Sequence, residues 1–298
     1  MIDLSGRVAI VTGAGAGLGR AHALLLAKRG ARVVVNDLGD GAHAVAEEIE
    51  LAGGEALAAQ NSVTDFEAVQ AMVEAAKARW GRVDILVANA GIIRDKSFAK
   101  MNLDDFRLVV DVHLMGSVNC VKAVWDTMRD QNYGRIVLTT SSSGLYGNFG
   151  QTNYSAAKMA LVGFMQTLGL EGAARNIRVN CIAPTAATAM LDGIFPEEMM
   201  QRLRPDQVSP AVLALVRDEA PNRTIVCAGG GSFEIARITY NHGIYVGDGD
   251  NAAEKLVARW EDLIDPAGER ALDDGLAQSA HELSKAQAGL LRSEGAVQ

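Results

Sequence analysis

The sequence predicts an α/β protein, a doubly wound parallel sheet of seven strands with helices on both faces. Three observations carry this reading. Short β-branched runs alternate with longer amphipathic stretches. Several of those runs, Val33-Val34-Val35 and Ile136-Val137-Leu138 among them, are continuously apolar, as strands buried on both faces must be. The 298 residues are 49% hydrophobic and 21% charged, enough apolar material for one large core. Predicted strands occupy 7–12, 32–36, 55–60, 83–88, 135–140, 177–182 and 224–228. Helical spacing fills 19–29, 42–52, 65–79, 103–128, 153–174 and 208–218. Strands and helices in this order give one parallel sheet with right-handed crossovers.

After residue 222 the pattern changes. Gly229-Gly230-Gly231 follows the last predicted strand, 241–250 is rich in Gly and Asp, and 251–264 returns to helical spacing through Leu256, Val257, Trp260, Leu263 and Ile264. The expected division is a sheet domain over 1–250 and a helical C-terminal extension over 251–298, whose tail is polar with scattered leucines.

Composition removes several classes. A formal net charge of −8 with no dense basic run excludes a nucleic-acid or anionic-membrane partner. Cys120, Cys181 and Cys227 are odd in number, far apart and without a C-x-x-C pair, which fits reduced thiols in the cytoplasm and gives no metal site. No apolar run approaches ~18 residues, so no membrane span is expected. The N-terminus lacks the basic start and apolar core of a signal peptide.

The first predicted strand ends in Thr12-Gly13-Ala14-Gly15-Ala16-Gly17-Leu18-Gly19. Glycines at a strand-to-helix turn let a pyrophosphate approach the backbone, and the helix N-terminus offers it free N–H groups. The second strand leads into Asp37, 18 residues after Gly19. An acid there accepts bonds from ribose hydroxyls and repels a 2′-phosphate, which favours NAD over NADP. Arg20 is the counterweight toward NADP, and a purely structural glycine turn is the alternative. Further along, Tyr154 and Lys158 form Y-x-x-x-K, one turn apart on one helix face. A phenol titrating near ~10 is a poor base, and a neighbouring ammonium together with an oxidised nicotinamide favours its phenolate. Ser141 lies 13 positions before Tyr154 at the end of a strand, with Ser142 and Ser143 as competitors for its place.

The T-G-x-x-x-G-x-G turn, the Asn89-Ala90-Gly91 element and the Ser141/Tyr154/Lys158 set, in this chain order, resemble the short-chain dehydrogenase/reductase family. The resemblance implies a Rossmann-type sheet of order 3-2-1-4-5-6-7 and an NAD site made of Gly13, Gly15, Gly17, Leu18, Gly19 and Asp37. It adds Asn61, Ser62 and Val63 around the adenine, with Asn61 in place of the usual Asp, and Asn89, Ala90 and Gly91. Tyr154, Lys158, Pro184, Thr185 and Thr188 complete it on the nicotinamide side, although a helix cap explains Thr188 equally well. It also implies that Ser141 bonds the reacting oxygen, that Tyr154 is the proton-transfer group and that Lys158 holds the nicotinamide ribose.

His113, in Val112-His113-Leu114-Met115-Gly116, stands where the family usually has an asparagine that supports a water relay. It is either part of that relay or a packed core histidine. Longer strings, above all the continuous stretch 144–158 (G-L-Y-G-N-F-G-Q-T-N-Y-S-A-A-K), are similar to the (3R)-hydroxyacyl-CoA dehydrogenase branch. That branch includes the dehydrogenase portion of the peroxisomal multifunctional β-oxidation enzyme and standalone bacterial relatives. The substrate implied is an acyl-CoA or a steroid, and the assembly a homodimer or homotetramer. The chain lacks the branch's insertion after Asp37, and its last residues are not a peroxisomal address, so a free-standing cytoplasmic enzyme is expected. A dehydrogenase without CoA requirement and a non-catalytic dinucleotide-binding regulator are the alternatives. Residues 190–204, rich in Met and Leu, are expected to cover the substrate.

Overall fold

Val8–Thr12, five apolar or β-branched residues in a row, form β1, and every one of them is buried. The strand is covered on both faces, and the other central strands of the sheet repeat the arrangement. The computed structural model describes residues 1–187 and 197–295. In the first of two units, Met1–Ala236, the strands after β1 are β2 (Arg32–Asp37), β3 (Ala56–Gln60), β4 (Ile85–Ala88), β5 (Gly134–Thr139), β6 (Ile177–Thr185), β7 (Ile225–Gly229) and β8 (Ser232–Ala236). The helices are α1 (Gly17–Lys28), α2 (Gly41–Leu51), α3 (Phe66–Trp80), α4 (Leu103–Val110), α5 (Gly116–Gln131), α6 (Ser142–Tyr146), α7 (Thr152–Gly172), α8 (Glu197–Arg202) and α9 (Ser209–Val216).

The sheet order is β3-β2-β1-β4-β5-β6-β7-β8. The seven expected strands are present in the expected order, and all pair in parallel. One correction concerns the edge. An eighth strand, β8, pairs antiparallel with β7 from Gly229↔Ser232 to Ile225↔Ala236. Gly230 (φ 56°) and Gly231 (φ 81°) form the two-residue turn between them. Two residues with positive φ are what a tight hairpin turn needs, and Gly-Gly supplies them without steric cost.

Two apolar layers sandwich the sheet. One joins it to α1, α2 and α9 through residues such as Ala23, Leu26, Val45, Ile49 and Val212. The other joins it to α3, α5 and α7 through Val69, Val73, Val124, Leu161 and Met165. Strand order reverses between β1 and β4, so the loops leaving those two strands diverge and open a crevice beyond their carboxyl ends.

The helix expected over 103–128 is interrupted by a π turn at Asp111–Met115 and runs on to Gln131. By length and composition alone the run Leu103–Gln131 contains a window apolar enough to cross a membrane, although charged residues interrupt it. In the fold it is a face helix: α5 packs on α3, β4 and β5, and α4 packs on α7.

The second unit is Arg237–Gln298, so the division falls at the end of β8 and not at residue 250. The extra strand carries the sheet to Ala236, and the Gly- and Asp-rich segment belongs with the helices that follow. Within this unit, Tyr240 and Arg270 form an antiparallel bridge. The single helix expected over 251–264 is two, α10 (Ala252–Ala258) and α11 (Trp260–Ile264), followed by α12 (Gly275–Gly295).

Candidate active site

A cleft of about 430 Å³ lies at the reversal of strand order, lined on one side by the glycine turn and on the other by α6 and the first turns of α7. The turn is shaped by backbone contact. At Gly19 a Cβ would lie 2.1 Å from the Gly13 carbonyl oxygen, so only glycine lets α1 start so close to β1. Thr12 and Asn89 tie the neighbouring strand ends together: Thr12 Oγ1 accepts from Asn89 N (3.0 Å) and Ala90 N (3.1 Å), and Asn89 Nδ2 donates to the Thr12 and Gly13 carbonyls.

The N-terminus of α1 carries no side-chain cap and no acid in its first turn. Its N–H groups therefore remain open to an external anion. Asp37 closes the far end, its Oδ2 accepting from Gly15 N at 2.9 Å. Arg20 makes three contacts of 2.6–3.1 Å with the Glu48 carboxylate. This guanidinium is spent on a neighbouring helix, and the cleft wall beside Asp37 keeps its negative character.

The reacting groups sit opposite. Ser141 is the N-cap of α6, its Oγ accepting from Ser143 N at 3.2 Å, and it hydrogen-bonds Tyr154. Among the three serines it is the one bonded to the phenol. Tyr154 occupies the first turn of α7, and Lys158 lies one turn on, 5.5 Å from the Tyr154 ring centre. Lys158 Nζ donates to the Thr139 carbonyl at 2.5 Å. Complete burial pushes the ammonium down to about 7. Burial raises Tyr154 above the ordinary phenol value, the Ser141 bond opposes this, and the Asp95 charge adds to it.

In this dry site both charged forms lose solvation, Lys158 is only partly protonated near neutrality, and burial is the largest influence on the phenol. Tyr154 rests as the neutral phenol, and the further positive charge that favours phenolate has to arrive with an oxidised nicotinamide.

His113 comes from the π turn, where the Ser117 hydroxyl takes up the His113 carbonyl at 2.7 Å. Its ring stands edge-on to Tyr154 with centres 5.1 Å apart. Nε2 lies 2.7 Å from the Ile92 carbonyl and 3.1 Å from Ile92 N, whereas the buried Nδ1 has no partner among the described residues. Burial first, then the nearby Lys158, lowers its pKa to about 3, so the ring is neutral. Gly91 makes room for it: a Cβ there would meet His113 Cε1 at 2.3 Å.

The cleft brings together most of the residues singled out from sequence: Gly13, Gly17, Leu18, Gly19 and Asp37 at one end, Asn89, Gly91 and His113 along the floor, and Ser141, Tyr154, Lys158, Pro184 and Thr185 at the other. Gly15 and Ala90 support the turn from behind and do not line it. Asn61, Ser62 and Val63 are not brought in. The Asn61 amide oxygen is taken by Asn36 Nδ2 at 3.1 Å, Ser62 pairs with Thr64, and Val63 is buried in the core. Thr188, and residues 190–196 of the expected substrate cover, lie outside the described residues.

Sequence reasoning missed Asn148 and Gln151, which line the substrate end. Gln151 accepts from Asn148 Nδ2 (3.0 Å) and donates to Asp95 Oδ2 (2.6 Å), fixing the loop after β4 to the start of α7. Their place three and six residues before Tyr154 was the available signal.

A short chain dehydrogenase family model matches residues 7–198. The chain belongs to the short-chain dehydrogenase family. This dehydrogenase is 53% identical over 223 residues to peroxisomal multifunctional enzyme type 2 of Drosophila melanogaster, covering 72% of the chain and 37% of that protein. The solved full-length structure of that name superposes with a TM-score of 0.83 at 38% identity, covering 97% of this chain and 51% of the other. A short-chain type dehydrogenase/reductase of Mycobacterium tuberculosis is 43% identical over 279 residues, 90% of this chain and 97% of its own. A 7α-hydroxysteroid dehydrogenase solved with NADH and a 7-oxo bile acid shares 32% identity at TM-score 0.71, covering 77% of this chain and 95% of its own. The dehydrogenase thus spans 37% of that curated peroxisomal relative and 51% of the solved chain. It is an oxidoreductase whose cleft suits a nicotinamide dinucleotide: an uncapped helix start at a glycine turn, an acid at the end of β2, and a tyrosine–serine–lysine set facing them.

Proposed function

We propose that this dehydrogenase oxidises the secondary hydroxyl of a (3R)-3-hydroxyacyl-CoA to a ketone, with NAD as acceptor. The observation that carries the chemistry is the placement of Tyr154 and Ser141 across one cleft from the glycine turn. The acyl-CoA assignment is supported by the 53% identity with a multifunctional peroxisomal enzyme and by the string over 144–158. NAD over NADP is supported by Asp37 in the cleft wall and by Arg20 being engaged with Glu48.

Bound there, the cofactor supplies a hydride acceptor and, when oxidised, a positive charge. The protein does the rest. Ser141 and Tyr154 hold the substrate oxygen, the phenolate of Tyr154 takes the hydroxyl proton as the carbinol C–H leaves as hydride, and Lys158 helps return that proton to solvent. His113, neutral and with Nδ1 free, orders a water between itself and Lys158. Kinetics of His113→Ala test this: a changed pH profile is expected, and an unchanged turnover and profile would remove the role. The exposed Leu103, Leu108, Met159 and Leu170 on α4 and α7 suit a homodimer or homotetramer face.

A second reading, a hydroxysteroid dehydrogenase without CoA requirement, is favoured by the 32% identical hydroxysteroid dehydrogenase structure. NADH formation at 340 nm, run with 3-hydroxyacyl-CoAs beside hydroxysteroids and with NAD beside NADP, separates the two. The first reading predicts at least tenfold higher kcat/KM for the thioester with NAD. Equal or better rates on the free steroid would overturn it.

A further inference from the structure

Four basic side chains distant in sequence meet in one cleft of the C-terminal unit. Tyr240 and Arg270 exchange backbone hydrogen bonds of 3.1 and 3.0 Å, which sets Arg270 beside the segment carrying His242. On α12, His281 and Lys285 are one turn apart and share a face. Both reach the same acceptor: His281 Nε2 lies 3.1 Å and Lys285 Nζ 2.9 Å from the His242 carbonyl oxygen. Arg270 Nη2 donates to Tyr240 Oη at 3.0 Å and lies 3.2 Å from His281 Nδ1. A guanidinium only donates, so Nδ1 accepts and Nε2 carries the proton that goes to the His242 carbonyl. One tautomer of His281 satisfies both contacts. The His242 ring stands 5.3 Å away at 78°.

The cleft measures about 400 Å³. His242, Arg270, His281 and Lys285 line it together with Gly268, Ser284 and Ala288, and no carboxylate is among them. Yet residues 237–298 hold nearly twice as many Asp and Glu as Lys and Arg. Gathering an ammonium and a guanidinium in an otherwise acidic unit costs mutual repulsion that a bound anion relieves. The contacts that fix the cluster use only part of the three N–H donors of Lys285 and the five of Arg270. A planar fork beside a point charge matches the oxygens of a phosphate.

We propose that this cleft binds a phosphate group, either free or as the phosphomonoester of a nucleotide. The chain has five histidines, few enough for separate imidazole resonances in the full-length protein. Titration with inorganic phosphate and with adenosine 3′,5′-bisphosphate should move the His242 and His281 signals saturably. Arg270→Gln combined with Lys285→Gln should weaken this at least tenfold with the helical circular dichroism retained. Lys285→Arg, which keeps the charge, should retain binding and serves as the check should the double variant unfold. Tenfold tighter binding of the bisphosphate assigns the site to a nucleotide phosphate, and equal affinity to free phosphate. Signals that stay still, that drift equally with sodium chloride, or that saturate unchanged in the folded double variant would overturn the proposal.

Discussion

Gly91 and the His113 ring occupy a space that admits one of a Cβ and an imidazole, since the two would come within 2.3 Å. The β4 loop and the π turn are therefore matched residue to residue. Gly91→Ala should destabilise the protein by about 1–3 kcal/mol through overpacking. In a His113→Ala background the same change should cost less than about 1 kcal/mol, as coupled neighbours require. Urea unfolding of the four proteins checks this, and additive losses would mean that the ring is not what Gly91 accommodates. The same scale explains what sequence could and could not reveal about the site. Tyr154, Lys158, Ser141 and the glycines were legible because their pattern is carried by short spacings along the chain, within an element or across one turn. The pairing of Asn61 with Asn36 was not legible, because a side chain's partner is set by tertiary neighbours and no local pattern carries that information.

Among the elements, β5 depends on a single buried cation. Arg135 is 1% exposed and donates to the carbonyls of Gly134, Asn176, Arg217 and Asp218, joining the sheet to the loop before β6 and the segment after α9. Arg135→Met fills similar volume but leaves those acceptors short of donors, and should cost about 3 kcal/mol or more. Thermal unfolding of the folded variant measures it, and a loss under about 1 kcal/mol would show that water replaces the guanidinium freely. The elements themselves were largely readable, because parallel strands buried on both faces leave continuous apolar runs. β8 was not: its side chains are mostly exposed, so Ser232–Ala236 lacks the apolar signature, and only the Gly-Gly turn announced it. The π turn was equally hidden, because one added residue per turn leaves the apolar spacing of 103–128 nearly intact.

For the whole molecule, two buried histidines set the response to acid. His22 bonds Ser209 Oγ at 2.8 Å, linking α1 to α9, and complete burial lowers its pKa to about 3; His113 falls to about 3 as well. An unfolded histidine titrates near ~6.5. Below that pH the unfolded chain takes up protons that the native state refuses, so stability is lost as pH falls from about 6.5 toward about 3. Each residue contributes a slope of up to about 1.4 kcal/mol per pH unit. Urea midpoints at pH 7, 6 and 5 should fall more steeply for the parent than for His22→Gln. Parallel slopes would mean that His22 can be protonated in place.

The molecule's shape and chemistry meet at one atom, the Tyr154 phenol oxygen. The direct measurement uses a (3R)-3-hydroxyacyl-CoA deuterated at C3, incubated with NAD and the full-length protein, with mass spectrometry of the cofactor formed. Deuterium should appear in the reduced nicotinamide, and Tyr154→Phe should slow its appearance by about 10²–10⁴-fold while the melting temperature holds. Transfer that continues at the parent rate in Tyr154→Phe would contradict the assignment of this cleft as the site of hydride transfer.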